Sequence, residues 1–260
     1  MLCHAKITAH DDSSSWAVLI HGLFGSADNL NLLAKTLSSN INVIQIDLPD
    51  HGKSPHTTEF NFNTYCDMII DTLHHYQIKT AHFVGHSLGG KMSMHIALTY
   101  PEIVTSLVIA DIAPISYPHR HQTVLHALAS VDLTTITNRI EVKHHLDNLL
   151  NDEGTSQFLL KSLYKNEHNH WAWRFNHSLL ARDYDKLIQW PKLSKQYSGP
   201  TLFIKGQASD YIIADYQPII LALFPHATSK IMNGTGHWLH AQKPVVFNRI
   251  VENFIAALIQ

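Results

Sequence analysis

Apolar residues along the chain fall into two alternating patterns: short continuous runs, and longer stretches in which they recur every three or four positions. Trp16-Ala17-Val18-Leu19-Ile20 is a continuous run and reads as a buried strand. Leu30, Leu33, Ala34 and Leu37 follow at helical spacing. The pair of patterns then repeats. Val43 to Ile46 reads as a strand and Tyr65 to Tyr76 as a helix; Ala81 to Val84 reads as a strand and Lys91 to Tyr100 as a helix, which Pro101 stops. Leu107 to Ala110 is the next strand and delivers Asp111 at its end. Such alternation predicts an α/β fold, a mostly parallel central sheet covered by helices on both faces.

The rhythm breaks at Pro114. From there to Trp190 the chain is polar and rich in histidine, with leucines at 125, 128, 146, 149, 150, 159, 160 and 163 in a mostly helical pattern. Strand and helix resume with Thr201 to Ile204, Tyr216 to Phe224 and Thr228 to Met232. Pro244 to Leu258 closes the chain as a helix whose proline suits a first turn. The expected organisation is a core domain made of 1–113 and 191–260, carrying an inserted helical cap at 114–190. A chain of 260 residues is long enough for both.

Charge narrows the partners. The net charge is −2 with histidine neutral, and charged residues make up only 15% of the chain, so no charge block points to nucleic acid or an anionic membrane surface. A small, neutral or weakly charged ligand fits better. No run approaches the roughly 18 apolar residues of a spanning helix, and Met1 to His10 lacks the apolar core of a signal peptide. Cys3 and Cys66 do not make a disulfide framework. A cytoplasmic protein without membrane insertion is expected, as a monomer or weak dimer.

The chemistry concentrates in three loops that follow predicted strands. In Gly85-His86-Ser87-Leu88-Gly89 an apolar run breaks into a serine bracketed by glycines, as a sharp strand-to-helix turn requires. A serine hydroxyl is a poor nucleophile near neutral pH and needs a base, which needs a carboxylate behind it. His237, presented by Asn233-Gly234-Thr235-Gly236, is the candidate base. An oxyanion needs preorganised donors, and backbone amides supply them. Leu88 and Leu23 are the candidates, the latter in His21-Gly22-Leu23-Phe24-Gly25-Ser26, with Phe24 as the fallback.

From Ala17 onward the chain resembles the α/β-hydrolases, and more narrowly the small bacterial esterases of the YbfF type. The resemblance rests on His21 to Ser26, Gly85 to Lys91, Asp111-Ile112-Ala113-Pro114, Glu153 to Ser162, Trp173-Arg174-Phe175-Asn176 and Gly236 to His240. One departure is Pro49-Asp50 before His51-Gly52, where an arginine and an asparagine are more usual. The resemblance implies a serine hydrolase acting on esters of short or medium acyl chains, and on acyl-CoA thioesters as a further class, without a cofactor. For the acid it implies Asp111. In many α/β-hydrolases the acid instead follows the strand that is Thr201 to Ile204 here; that place holds Ser209, with Asp210 one residue later, so Asp210 is the alternative. Same-site acyl transfer, C–C bond hydrolysis and a ligand-binding scaffold without turnover are the rival functions.

Plainer roles are expected for the remaining histidines. His240 reads as a packing residue, and His21 and His86 as loop-holding hydrogen bonders. The pairs His119/His121, His144/His145 and His168/His170 have no cysteine partners and match no complete zinc spacing, so no metal is expected. Phe24, Tyr117, Trp173 and Trp238 are expected to wall the substrate pocket.

Overall fold

The computed structural model describes residues 1–259. Its strands are β1 (Ala5–Thr8), β2 (Trp16–Ile20), β3 (Asn42–Ile46), β4 (Ala81–His86) and β5 (Val104–Ala110), a separate hairpin of β6 (Leu163–Lys165) and β7 (Trp171–Trp173), then β8 (Thr201–Gly206) and β9 (Ala227–Met232). Seven of them form one sheet in the order β1-β3-β2-β4-β5-β8-β9. Only β1 runs antiparallel to its neighbour. The expected parallel α/β sheet is present, with β1 added at its edge.

Helices α1 (Asn31–Leu37), α2 (Phe62–His75) and α3 (Leu88–Thr99) connect the first parallel strands. Between β5 and β8 lie α4 (Gln122–Ala129), α5 (Arg139–Leu150), α6 (Glu153–Leu160), the hairpin, α7 (His177–Arg182) and α8 (Tyr184–Ile188). The chain ends with α9 (Gln217–Leu223), α10 (Leu239–Gln242) and α11 (Pro244–Ile259). None of the described helices is long and apolar enough to cross a membrane.

Because successive strand residues point to opposite faces, each continuous apolar run feeds two cores at once. Val18, Ile20, Phe83, Leu107 and Ile109 pack on one face with Tyr65, Ile69 and Leu73 of α2 and Met92 and Ile96 of α3. Ala17, Leu19, Val43, Val84, Val108 and Ala110 pack on the other with Leu33 and Leu37 of α1 and Phe247, Val251 and Ile255 of α11. This two-sided burial is why the runs lack polar alternation.

Sheet order also positions the site. β3 lies on one side of β2 and β4 on the other, so the chain reverses its direction of travel across the sheet between them. The loops leaving β2 and β4 part there and open a crevice at the carboxyl ends of the strands.

The segment between β5 and β8 is fastened over these ends. Ser162 Oγ donates to the Phe24 carbonyl at 3.0 Å, Asn176 N donates to the Asp50 carbonyl at 2.8 Å, and Phe60 N donates to Asp183 at 2.8 Å. Asp50, the departure from the family pattern, is fully buried. Its carboxylate accepts from Thr57, from the Tyr65 hydroxyl at 2.6 Å and from Asn176 Nδ2 at 2.8 Å, so it fixes the segment to the core. The segment is less purely helical than its leucine spacing predicts, since β6 and β7 pair from Leu163↔Trp173 to Lys165↔Trp171.

Candidate active site

Ser87 stands where β4 turns into α3, at φ 52° and ψ −117°. A non-glycine residue in this region costs of order 1–3 kcal/mol and persists only where the surroundings over-determine it. They do so here. Ser87 N donates to Ala110 O of β5 at 3.1 Å, and Lys91 N donates to Ser87 O at 3.0 Å. A Cβ on Gly85 would run into the Gly89 carbonyl, and one on Gly89 into the Ile20 carbonyl. Glycine at both places therefore lets α3 start hard against β4 and β2.

Asp111 ends β5 in the left-handed region, at φ 54°, and is fully buried. Its Oδ1 accepts the Gly206 amide at 2.9 Å. Its Oδ2 accepts the Ser209 hydroxyl and lies 2.8 Å from His237 Nδ1. A carboxylate so placed accepts the Nδ1 proton, which leaves the His237 Nε2 lone pair free. Asp210 is elsewhere: 72% exposed, it pairs with Arg120. The offset of one residue noted in the sequence separates the two side chains in space: position 209 faces Asp111 with a hydroxyl, while position 210 turns to solvent.

His237 is held on its other sides too. Tyr211 stacks on its ring, 3.9 Å between centroids and 19° between planes, and His86 Nε2 donates to its backbone carbonyl at 2.9 Å. Burial, then the neighbouring His240 and His237 rings, push the His86 pKa well below its ordinary value, so His86 is neutral and can donate steadily. His21 has a similar loop-holding part: Nδ1 contacts Gly22 O at 2.7 Å and Nε2 accepts Leu48 N at 3.0 Å. His240 packs on His86, 4.3 Å between ring centroids.

Two cavities meet at Ser87. One is lined by Leu23, Leu88, Lys91, Tyr117, His121 and Tyr211, among others. The second is lined by Leu23, Phe24, His86, His121, Phe158, His237 and Trp238, among others. The 22–24 loop closes on the serine, since a Cβ on Gly22 would lie 3.2 Å from Ser87 Cβ. Leu88 opens α3, where its amide has no intrahelical acceptor. Of the four expected wall residues, Phe24, Tyr117 and Trp238 line these cavities. Trp173 stacks on Phe175 at 5.5 Å, which in turn packs on Phe24 at 5.1 Å, and so stands one layer behind that wall residue.

Lys91, His121 and Tyr211 border the site without having been singled out for it. Lys91 was legible, because four residues after Ser87 on a helix is the same face. Its Nζ donates to the carbonyls of Ile188 and Gln189 at 2.7 and 2.8 Å, and burial lowers its pKa to about 7. His121 and Tyr211 carry no local signal, since each reaches the site only through the folding of distant segments.

Residues 17–244 match the alpha/beta hydrolase fold family. The chain is 36% identical to the esterase YbfF of Escherichia coli, covering 96% of this chain and 97% of that protein. It is 32% identical to an sn-1-specific diacylglycerol lipase of Danio rerio, covering 92% and 77% respectively. A solved marine microorganism esterase superimposes with a TM-score of 0.93 at 28% identity, over 97% of this chain and 99% of that one. The chain belongs to the α/β-hydrolase family, and within it to the esterases of the YbfF type.

Proposed function

We propose that the protein hydrolyses carboxylic esters through an acyl-enzyme, with Ser87 as nucleophile, His237 as base and Asp111 as the group that orients it. The reading rests on one observation above all: His237, with Nδ1 2.8 Å from the buried Asp111, borders the same cavity as the elbow serine. His237 Nε2 takes the Ser87 proton as Oγ attacks the acyl carbonyl, then passes it to the departing alkoxide. The amides of Leu23 and Leu88 hold the oxyanion. Water repeats the steps in reverse and frees the acid.

Residues 114–190 act as the cap. Its end walls the cavity on the Tyr117 side, where Lys91 is tied to Ile188 and Gln189. That enclosure supports short to medium acyl chains. Thioesters of the same acyl groups are a second substrate class, since the serine attacks either carbonyl. A fluorophosphonate labels the wild type and not Ser87→Ala, and p-nitrophenyl butyrate is turned over by the wild type alone. Labelling of Ser87→Ala, or its unchanged turnover, would overturn the assignment.

A further inference from the structure

The cap histidines take no part in the chemistry above, yet one of them enters the site. Three residues border both cavities: Ser87, Leu23 and His121. The first two are the proposed nucleophile and one oxyanion donor, so the junction is where the scissile group lies. His121 closes the remaining side.

The proton on His121 can be placed. Tyr184 Oη lies 3.3 Å from Arg120 N and 3.1 Å from His121 N, two donors that take its two lone pairs. It also lies 2.7 Å from His121 Nδ1. With its lone pairs used, the phenol must donate its own hydrogen to Nδ1. Burial, with His237 and Arg120 nearby, lowers the His121 pKa to about 4, so the ring is neutral and its single proton sits on Nε2. Nε2 makes a long contact with Tyr211 Oη at 3.4 Å, beyond the usual range of a good hydrogen bond. A fixed, neutral N–H donor thus stands at the junction, still short of a full partner.

The tetrahedral intermediate offers it one place. Of the four groups on its carbon, Ser87 Oγ is bound to the enzyme, the oxyanion has its two amides, and the acyl chain is carbon. The leaving oxygen remains, and it must lie on the side lined by His237, which protonates it. We propose that His121 donates an Nε2–H hydrogen bond to the leaving oxygen of the ester. This rests on the proposed Ser87–His237 chemistry. His121 keeps its proton throughout: the Ser87 Oγ–C bond forms, the C–O bond breaks, and the proton that Ser87 lost reaches the alkoxide from His237. The donor matters most where the leaving oxygen carries most charge, in alkyl esters, and least for p-nitrophenolate.

The test compares ethyl butyrate with p-nitrophenyl butyrate, using kcat/KM for wild type, His121→Phe and His121→Gln. His121→Phe is expected to lose about 10-fold more on the ethyl ester than on the p-nitrophenyl ester, the size of one hydrogen bond to a developing charge. His121→Gln, which restores a donor, recovers most of the difference. If His121→Phe is insoluble, His121→Ala is measured in its place. Equal loss on both esters, or no loss, would overturn the proposal. A wild type inactive on both would instead overturn the hydrolase reading, and the role of His121 with it.

Discussion

A carboxylate can orient an imidazole only if it reaches the ring nitrogen that the reaction leaves alone. Asp111 lies 2.8 Å from His237 Nδ1 and is fixed by Gly206 N and Ser209; Asp210 is taken up by Arg120 at the surface. An amide at position 111 would keep its oxygen on the Gly206 N–H and turn its NH2 toward Nδ1, favouring the wrong tautomer. Asp111→Asn should therefore lower kcat on p-nitrophenyl butyrate by about 10³–10⁴-fold. Asp210→Asn loses an exposed ion pair worth about 0–1 kcal/mol and should stay within about twofold in kcat. The reverse ranking would reassign the acid. At this scale the sequence was legible where chemistry and chain geometry coincide, at Ser87 with its two glycines and at His237. For the acid it pointed to Asp111 only through the family resemblance and left Asp210 as the alternative, because one residue of offset in a loop redirects a side chain completely. Nor could it show Tyr211 under His237 or the proton on His121, since each depends on partners far away along the chain.

At the scale of elements, the elbow is a problem of backbone proximity. A Cβ on Gly89 would enter the space of the Ile20 and His21 carbonyls, two backbone groups that cannot swing aside. A Cβ on Gly236, next to the proposed base, would meet nothing nearer than the Gln242 amide at 4.0 Å. Gly89→Ala should therefore destabilise the fold by about 3 kcal/mol or more, and Gly236→Ala by less than about 1 kcal/mol, as read from urea midpoints. Similar losses for both would mean that α3 can move away from β2. Elements were legible in proportion to their length and burial. Strands β2 to β5 and β8 are buried on both faces, and their runs stand out. The three-residue strands β6 and β7 sit among the helices between β5 and β8, and Ala5–Thr8 is a half-exposed edge, so none of the three gave a period to read.

For the whole molecule, the buried histidines couple folding to pH. His21, His51, His86 and His240 are each at most 8% exposed. Burial is the first cause of a lowered pKa in all four, to about 3 for His51 and His240. In the unfolded chain each would titrate near 6.5. Above that pH neither state binds the proton, and the stability they contribute is fully present. As pH falls below 6.5 the unfolded chain takes up protons that the folded one refuses, so stability is lost progressively down to the folded pKa values. Each histidine contributes up to about 1.4 kcal/mol per pH unit in that window. Asp183, lowered to about 2 by Arg182, adds a loss of the same sign only below its ordinary value of 3.8, so the interval from 6.5 to 4.5 reports the histidines. Urea unfolding should give a free energy that already declines from pH 8 to 7, where Lys91, lowered to about 7, is charged in the unfolded chain and largely neutral in the folded one, and that falls more steeply between 6.5 and 4.5, where the histidines act together. His240→Leu should make that fall shallower by about one proton's worth, about 1.4 kcal/mol per pH unit. A free energy that is flat across the acid interval would mean that the fold admits charge at these rings, and with it that His86 does not hold the His237 carbonyl as a neutral donor.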